Sequence, residues 1–369
     1  MSASPTLDSL NNEFPGGELL RQTLEVSDFE GACALLLRER LYGIAEARWF
    51  ASLRDEDRER LSAWLAEARL QEAVRTGIRE AGWLRAIRAL DGAGVEPIAL
   101  KGFALARTLY ASSTERPSLD MDVLIDVQDV EAVHGAMRSI GWELPFGVRG
   151  QYTSHQFTWA TGEAGPTRAM IDFHWRITNR PSLSRTLTHN HVYARSRVIE
   201  VDGTPVRVIH PIDALLHAVI HIVAHHRGEA IPALWYLDIA LLERSLSAQE
   251  RVQFLEAVAA NGISALCAQV WRDAQAAIGF TPSAQTRWLL ASVDHSSDLW
   301  EKMPDSRATE IIADLVALRV EDRLNYLREL VLPNETSMRI AFGEELQSRP
   351  LWQLHLRRIV QLGVRTKRR

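Results

Sequence analysis

Three aspartates carry the strongest chemical signal in this sequence. Asp120 and Asp122 stand two residues apart in Leu119-Asp120-Met121-Asp122-Val123-Leu124, and Asp172 interrupts the run Met170-Ile171-Asp172-Phe173-His174-Trp175. Residues two apart in a strand project to one face roughly 6.6 Å from each other. Asp120 and Asp122 therefore aim two carboxylates at one volume while Met121 and Val123 face a core. Crowded carboxylates repel unless protonated or neutralised, and a hard cation such as Mg²⁺ neutralises them well. Taken alone, Asp-x-Asp also describes a strand end with two solvated acids. Asp172 sharpens the reading, because Ile171, Phe173 and Trp175 share the opposite face of its strand, and a carboxylate among them needs a partner. If the two strands are neighbours, three acids converge and can hold two cations about 3.5 to 4 Å apart, the spacing used for in-line displacement at phosphorus. The competing partner for Asp172 is an arginine, Arg168 or Arg176.

Lys101-Gly102 adds a second element. It closes the apolar run Pro97 to Leu100 and opens a helix-like stretch from Phe103 to Tyr110. Backbone N–H groups and the helix dipole at such a junction favour a phosphate, and Gly102 would let it come close. A Lys-Gly pair by itself describes a plain turn. A rival constellation is His217, His221 and His225, spaced four apart on one helix face with His226 adjacent. Histidines at i and i+4 bind zinc. Here, however, no acid sits between them in the His-Glu-x-x-His pattern, and the first and last are about 12 Å apart along the axis. The favoured reading is a polar lining of a cleft, with His225 or His226 touching a phosphate or an acceptor; Asp238 reads as structural.

The elements that position these residues follow from periodicity. From Gly17 to Gly94 apolar residues recur at three- and four-residue intervals, Leu36, Leu41, Ile44, Leu61, Leu65 and Leu70 among them, which predicts helices. Strands are expected over Pro97–Leu100 and Leu119–Val127, then a helix from about Asp129 to Ile140 stopped by Gly141. Gln151–Thr161 and Thr167–Ile177 read as a loose hairpin, and Arg197–Val201 with Pro205–Ile209 as a tight one, since Asp202-Gly203 favours the positive φ angles of a type I′ turn. Past Pro211 the pattern is helical. The plan is α+β: a helical region over 1–94, a small mixed β-sheet core over 95–210, and a second helical region over 211–369.

The chain has 369 residues, 46% of them hydrophobic, enough for two or three packed units. A formal charge of −5 leaves no global electrostatic footprint for nucleic acid. The one local basic run, from Arg357 to Arg369, reads as a solvated helix end. Cys33 and Cys267 fit neither a disulfide framework nor a metal motif, which agrees with a reducing cytoplasm. Met1 to Pro15 lacks a basic segment followed by an apolar stretch, and no run of eighteen apolar residues occurs, so neither secretion nor membrane spanning is expected.

The segments Ile98-Ala99-Leu100-Lys101-Gly102, Leu109-Tyr110, Arg116-Pro117-Ser118-Leu119-Asp120-Met121-Asp122-Val123-Leu124-Ile125 and Ile171-Asp172-Phe173-His174-Trp175 together resemble the uncharacterised bacterial nucleotidyltransferases of the DNA polymerase β-like superfamily. The resemblance covers roughly residues 95 to 240. It implies a sheet-based nucleotidyltransferase core with Gly102 in the nucleotide-binding turn, Asp120 and Asp122 as the metal pair and Asp172 as the third acid. It also implies Mg²⁺ or Mn²⁺ as cofactor and a nucleoside triphosphate as substrate. The acceptor stays open between a small molecule, an RNA end and a peptide or protein hydroxyl. Many superfamily members carry Gly-Ser or Gly-Gly where this chain has Gly102-Phe103, so Lys101, Arg116 or backbone amides must take over the hydroxyl's phosphate contact. The rival readings are a silent nucleotide-binding or regulatory protein on the same scaffold, and a zinc hydrolase built on His217, His221 and His225.

Overall fold

The computed structural model describes residues 29–50, 53–148, 152–162, 164–225, 231–292, 307–343 and 349–365. Short helices α1 (Phe29–Arg38) and α2 (Tyr42–Arg48) lead into α3 (Asp55–Gly92), a helix of 38 residues. Asp55, Glu56 and Asp57 sit in its first turn, where carboxylates complement the helix dipole. It ends because Gly94 takes a positive φ of 75°, with the Val95 N–H bonded back to the Leu90 carbonyl. Its second half buries Trp83, Leu84, Ala86, Ile87 and Leu90, the three- and four-residue spacing of one helix face.

That face packs on a seven-stranded mixed sheet with the order β3-β4-β5-β2-β1-β7-β6. The strands are β1 (Ile98–Ala99), β2 (Met121–Leu124), β3 (Glu143–Phe146), β4 (Gln156–Ala160), β5 (Met170–His174), β6 (Arg197–Val201) and β7 (Thr204–Val208). Helix α4 (Lys101–Thr108) follows β1 directly, α5 (Val130–Ser139) crosses between β2 and β3, and α6 (His189–Arg195) precedes the β6–β7 hairpin. In that hairpin Asp202 and Gly203 have φ of 47° and 70°, the two positive values a type I′ turn requires. Trp83 donates its indole N–H to the Met170 carbonyl at 2.8 Å, fixing α3 to β5. Phe157, Ile171, Phe173, Met121 and Val123 are all buried on the covered face, where the Phe157 and Phe173 rings stack at 5.4 Å and His134 of α5 lies against Phe157.

The other face is closed by α7 (Pro211–His225) and α8 (Ala233–Ser245). Behind them stand α9 (Ala248–Ala260), which opens on a Ser247–Glu250 capping box, and α10 (Ser264–Ile278). Further along are α11 (Ala284–Ser292), α12 (Arg307–Ala317), α13 (Val320–Val331), α14 (Glu335–Phe342) and α15 (Leu351–Arg365). No helix among the described residues is long and apolar enough to cross a membrane. Cys33 and Cys267 are buried thiols, one on α1 and one on α10.

The strands expected over Pro97–Leu100, Gln151–Thr161 and Thr167–Ile177 contract to Ile98–Ala99, Gln156–Ala160 and Met170–His174, and two further elements change. The strand expected over Leu119–Val127 contracts to Met121–Leu124: Leu119 is exposed, and the Asp126 carboxylate accepts the Gln128 N–H at 2.9 Å, capping a 3₁₀ turn in place of further strand. The helix expected from Phe103 begins at Lys101. The edge strand β3 and helix α6 are additions that periodicity does not predict.

Candidate active site

The site is assembled by strand register. β2 and β5 run parallel with Asp122 directly opposite Asp172, and β4 runs antiparallel to β5 with Thr158 opposite Asp172. Alternation places Asp122, Asp172, His174 and Thr158 on the sheet face turned away from α3 and α5. Asp120 immediately precedes β2 and does not lie within it, its carbonyl accepting a hydrogen bond from the Ser118 hydroxyl at 2.8 Å. All three predicted acids nevertheless border one cleft of about 610 Å³.

Asp122 is 8% exposed and is held from two sides. Lys101 Nζ donates to its Oδ1 at 3.0 Å, and His174 Nε2 lies 2.9 Å from the same oxygen. Burial pushes the Asp122 carboxyl up, but the Lys101 ammonium and the His174 hydrogen bond outweigh it and hold the group well below the usual carboxylate range. The other two acids go the opposite way. Burial first, then the negative charges of Asp122 and Asp172, raise Asp120 to about 6. Asp172 is raised by burial and by Asp122, although Thr158 donates to its Oδ1 at 2.5 Å. The expected competition from arginine for Asp172 does not occur: Arg168 donates to the Thr161 carbonyl, and the burial and charge surroundings of Arg176 involve Arg185 and Asp322.

This electrostatic pattern is the test of whether a cation fits. Three carboxylates share one ammonium, and two of them are driven toward protonation by burial and by their acidic neighbours, which is the situation a divalent cation relieves. Single donor atoms of Asp122, Asp172 and His174 all lie within 4.8 Å of one another. The residues present fit a divalent metal.

Lys101, Gly102 and Arg116, expected at a phosphate, all border the cleft. Leu100 supplies no side-chain cap to α4, so the N–H groups of its first turn are left to a ligand or to water. Lys101 takes a left-handed backbone φ of 40°, a costly conformation for a residue with a side chain. Gly102 also answers a packing need. A Cβ there would collide with the Ser118 hydroxyl and stand 2.7 Å from the Arg116 guanidinium, so the glycine is demanded by close packing of the 116–118 loop. Arg116 borders the cleft but is 7% exposed and committed to Asp238, with Nη2 to Oδ2 at 2.7 Å. Tyr110 also donates to Asp238 at 2.7 Å. The expected structural role of Asp238 thus has its partners, and Arg116 spends its charge locally.

On the opposite wall α7 and α8 contribute His217, His221 and Trp235, with the His221 and Trp235 rings 5.0 Å apart. His225 ends α7, and its side chain, like the whole of His226, lies outside the described residues. Among the described residues the group able to hold a metal is Asp122, Asp172 and His174, while the trio His217, His221 and His225 falls partly outside them. Sequence reasoning passes over His174 and Arg40 as site residues. His174 is detectable from its i+2 spacing to Asp172. Arg40 lines the cleft from the α1–α2 junction at a φ of 58°, and no local pattern announces it.

The class this fold and site define is a nucleotidyltransferase: acids paired across parallel strands, with an uncapped helix start beside them in one cleft. The chain belongs to the family described as uncharacterised nucleotidyltransferases, whose model matches residues 34–276. Among solved structures it is similar to the antibiotic-resistance factor ANT(2'')-Ia, at 14% identity over 54% of this chain and 97% of that one, with a TM-score of 0.36. No curated protein matches it.

Proposed function

We propose that this nucleotidyltransferase is metal-dependent and moves a nucleoside monophosphate from a nucleoside triphosphate to an acceptor hydroxyl, releasing pyrophosphate. The observation that carries the reading is the register of Asp122 against Asp172 on adjacent parallel strands, with Asp120 beside them, in a cleft that also contains the start of α4. Asp120, Asp122 and Asp172 would hold Mg²⁺ or Mn²⁺, which when bound neutralises the triphosphate and acidifies the acceptor hydroxyl.

The chain's own groups do the rest. The first-turn amides of α4 bind phosphate oxygens, and Lys101 exchanges Asp122 for the triphosphate as its partner. Asp172 orients the acceptor hydroxyl and takes its proton as the oxygen bonds to the α-phosphorus and the bond to the bridging oxygen breaks. Arg116, Asp238 and Tyr110 hold the 116–120 loop at its place beside α4 and so position Asp120. His225 and His226 are proposed to reach the triphosphate or the acceptor from the end of α7. The acceptor is a small molecule, an RNA end or a peptide or protein hydroxyl.

Calorimetric titration with MgATP and MgCTP tests the cation arrangement. Asp122→Asn removes a negative ligand and is expected to weaken metal-dependent triphosphate binding at least tenfold, on the order of 1.4 kcal/mol. Unchanged affinity in Asp122→Asn and in Asp120→Asn would remove the metal pair from the mechanism.

A further inference from the structure

The cation reading leaves one member of the cluster without a role. His174 follows Asp172 by two residues on β5, which puts its imidazole on the same face of the sheet. It is 7% exposed, and its Nε2 stands 2.9 Å from Asp122 Oδ1. Donors adjacent on an octahedron with bonds of about 2.1 Å are about 3.0 Å apart, and opposite donors about 4.2 Å apart. The trio of one oxygen from Asp122, one from Asp172 and His174 Nε2, all within 4.8 Å, comes near those spacings.

Resting on the metal-dependent reading above, we propose that His174 is itself a metal ligand and that the resulting nitrogen-and-carboxylate set selects a first-row transition divalent cation over Mg²⁺. Mg²⁺ prefers oxygen donors and holds its waters, so it gains little from a buried imidazole. Affinity for a nitrogen-containing site rises along the transition series from Mn²⁺. Ligation moves the ring proton from Nε2 to Nδ1, leaving the proton count unchanged, and frees the Nε2 lone pair for the ion. Lys101, the other group on Asp122 Oδ1, yields that oxygen to the same ion.

The alternative is that His174 only positions Asp122 through a hydrogen bond. Glutamine separates the two roles, because its amide donates a hydrogen bond yet supplies no imidazole nitrogen. The experiment follows Mn²⁺ binding to the full chain by electron paramagnetic resonance, with Mg²⁺ as competitor, and reads the ligand nitrogen by electron spin-echo modulation. Wild type is expected to bind Mn²⁺ more tightly than Mg²⁺ and to show coupling to a directly bound nitrogen. In His174→Gln that coupling disappears and the Mn²⁺-over-Mg²⁺ preference shrinks roughly tenfold or more, while circular dichroism stays that of the wild type.

Three outcomes overturn the proposal. Mn²⁺ bound without nitrogen coupling leaves a carboxylate-only metal site and removes His174 from it. Coupling that survives in His174→Gln assigns the nitrogen to another histidine. Wild type that binds neither ion brings down the metal-dependent reading itself, a result distinct from the other two.

Discussion

At the scale of single residues, the site is a contest for Asp122. Lys101 and His174 meet at one of its oxygens, and the buried carboxylate is kept ionised by them. Lys101 therefore carries a charge already placed beside the proposed triphosphate site. A contact made equally in the ground and transition states contributes uniform binding, so Lys101→Ala is expected to raise KM for the triphosphate roughly tenfold while kcat changes less than KM. Steady-state kinetics at saturating acceptor checks this; a loss confined to kcat would make Lys101 a stabiliser of departing pyrophosphate. The three acids are legible in the sequence because a carboxylate set in an apolar alternating run must be neutralised or bonded where it lies. His174 carries the same spacing but is masked by an aromatic neighbourhood that reads as core. The partner of Asp172, Thr158, cannot be identified from sequence, since it depends on the antiparallel register of β4 against β5.

At the scale of elements, the sequence locates strands that carry an apolar run or a turn signal, the edge strand β6 beside Asp202-Gly203 among them, and misses the edge strand β3, which has neither. β3 reads Glu143-Leu144-Pro145-Phe146, an exposed edge with a proline and little alternation, and it exists because β4 pairs with it. Helix α6 has seven residues, too few to show a period. Its function in the fold is visible at its contact with α7: Asp213, fully buried on α7, lies 3.5 Å from Arg195 and 3.7 Å from His191 of α6. Neither carboxylate oxygen has a hydrogen-bond partner among the described residues. Burial raises this carboxyl to about 6, against the lowering influence of Arg195 and His191. The sign follows from linkage. A folded-state pKa above the unfolded value of 3.8 means the folded protein binds the proton more tightly, so the stability due to this proton is present below pH 4 and lost as pH rises through about 6. Asparagine has no such dependence. The melting temperature of Asp213→Asn relative to wild type should therefore rise between pH 4 and pH 7, by the equivalent of about 2 kcal/mol. Thermal unfolding across that range checks it; a difference independent of pH would contradict the assignment.

At the scale of the whole molecule, the cleft is made by elements far apart in sequence. The division into 1–94, 95–210 and 211–369 is a proposal about folding units, whereas the buried apolar core runs without a break from Ala32 on α1 to Ala313 on α12. The Glu39 side chain accepts the Ala233 N–H at 2.9 Å, joining the α1–α2 junction to the start of α8 and setting Arg40 at the cleft. Arg116 and Asp238, 122 positions apart, bind the loop before the acids to the same helix. Such pairings are invisible to periodicity, which is why the helical wall is legible only as helices. The central claim is that this cleft first binds a triphosphate and then transfers part of it, with Asp172 serving the second step. Asp172→Asn keeps the side chain's shape but loses the charge and basicity that the acceptor hydroxyl needs. The direct test combines each α-labelled triphosphate, Mn²⁺ or Mg²⁺ and a cell extract with wild type and with Asp172→Asn. Label transfer is followed beside equilibrium binding of the triphosphate and thermal unfolding. The expected result is label moved to an acceptor by wild type, and a folded Asp172→Asn variant that binds triphosphate within a few-fold of wild type yet transfers less than roughly a hundredth as much. Normal transfer by Asp172→Asn would contradict it.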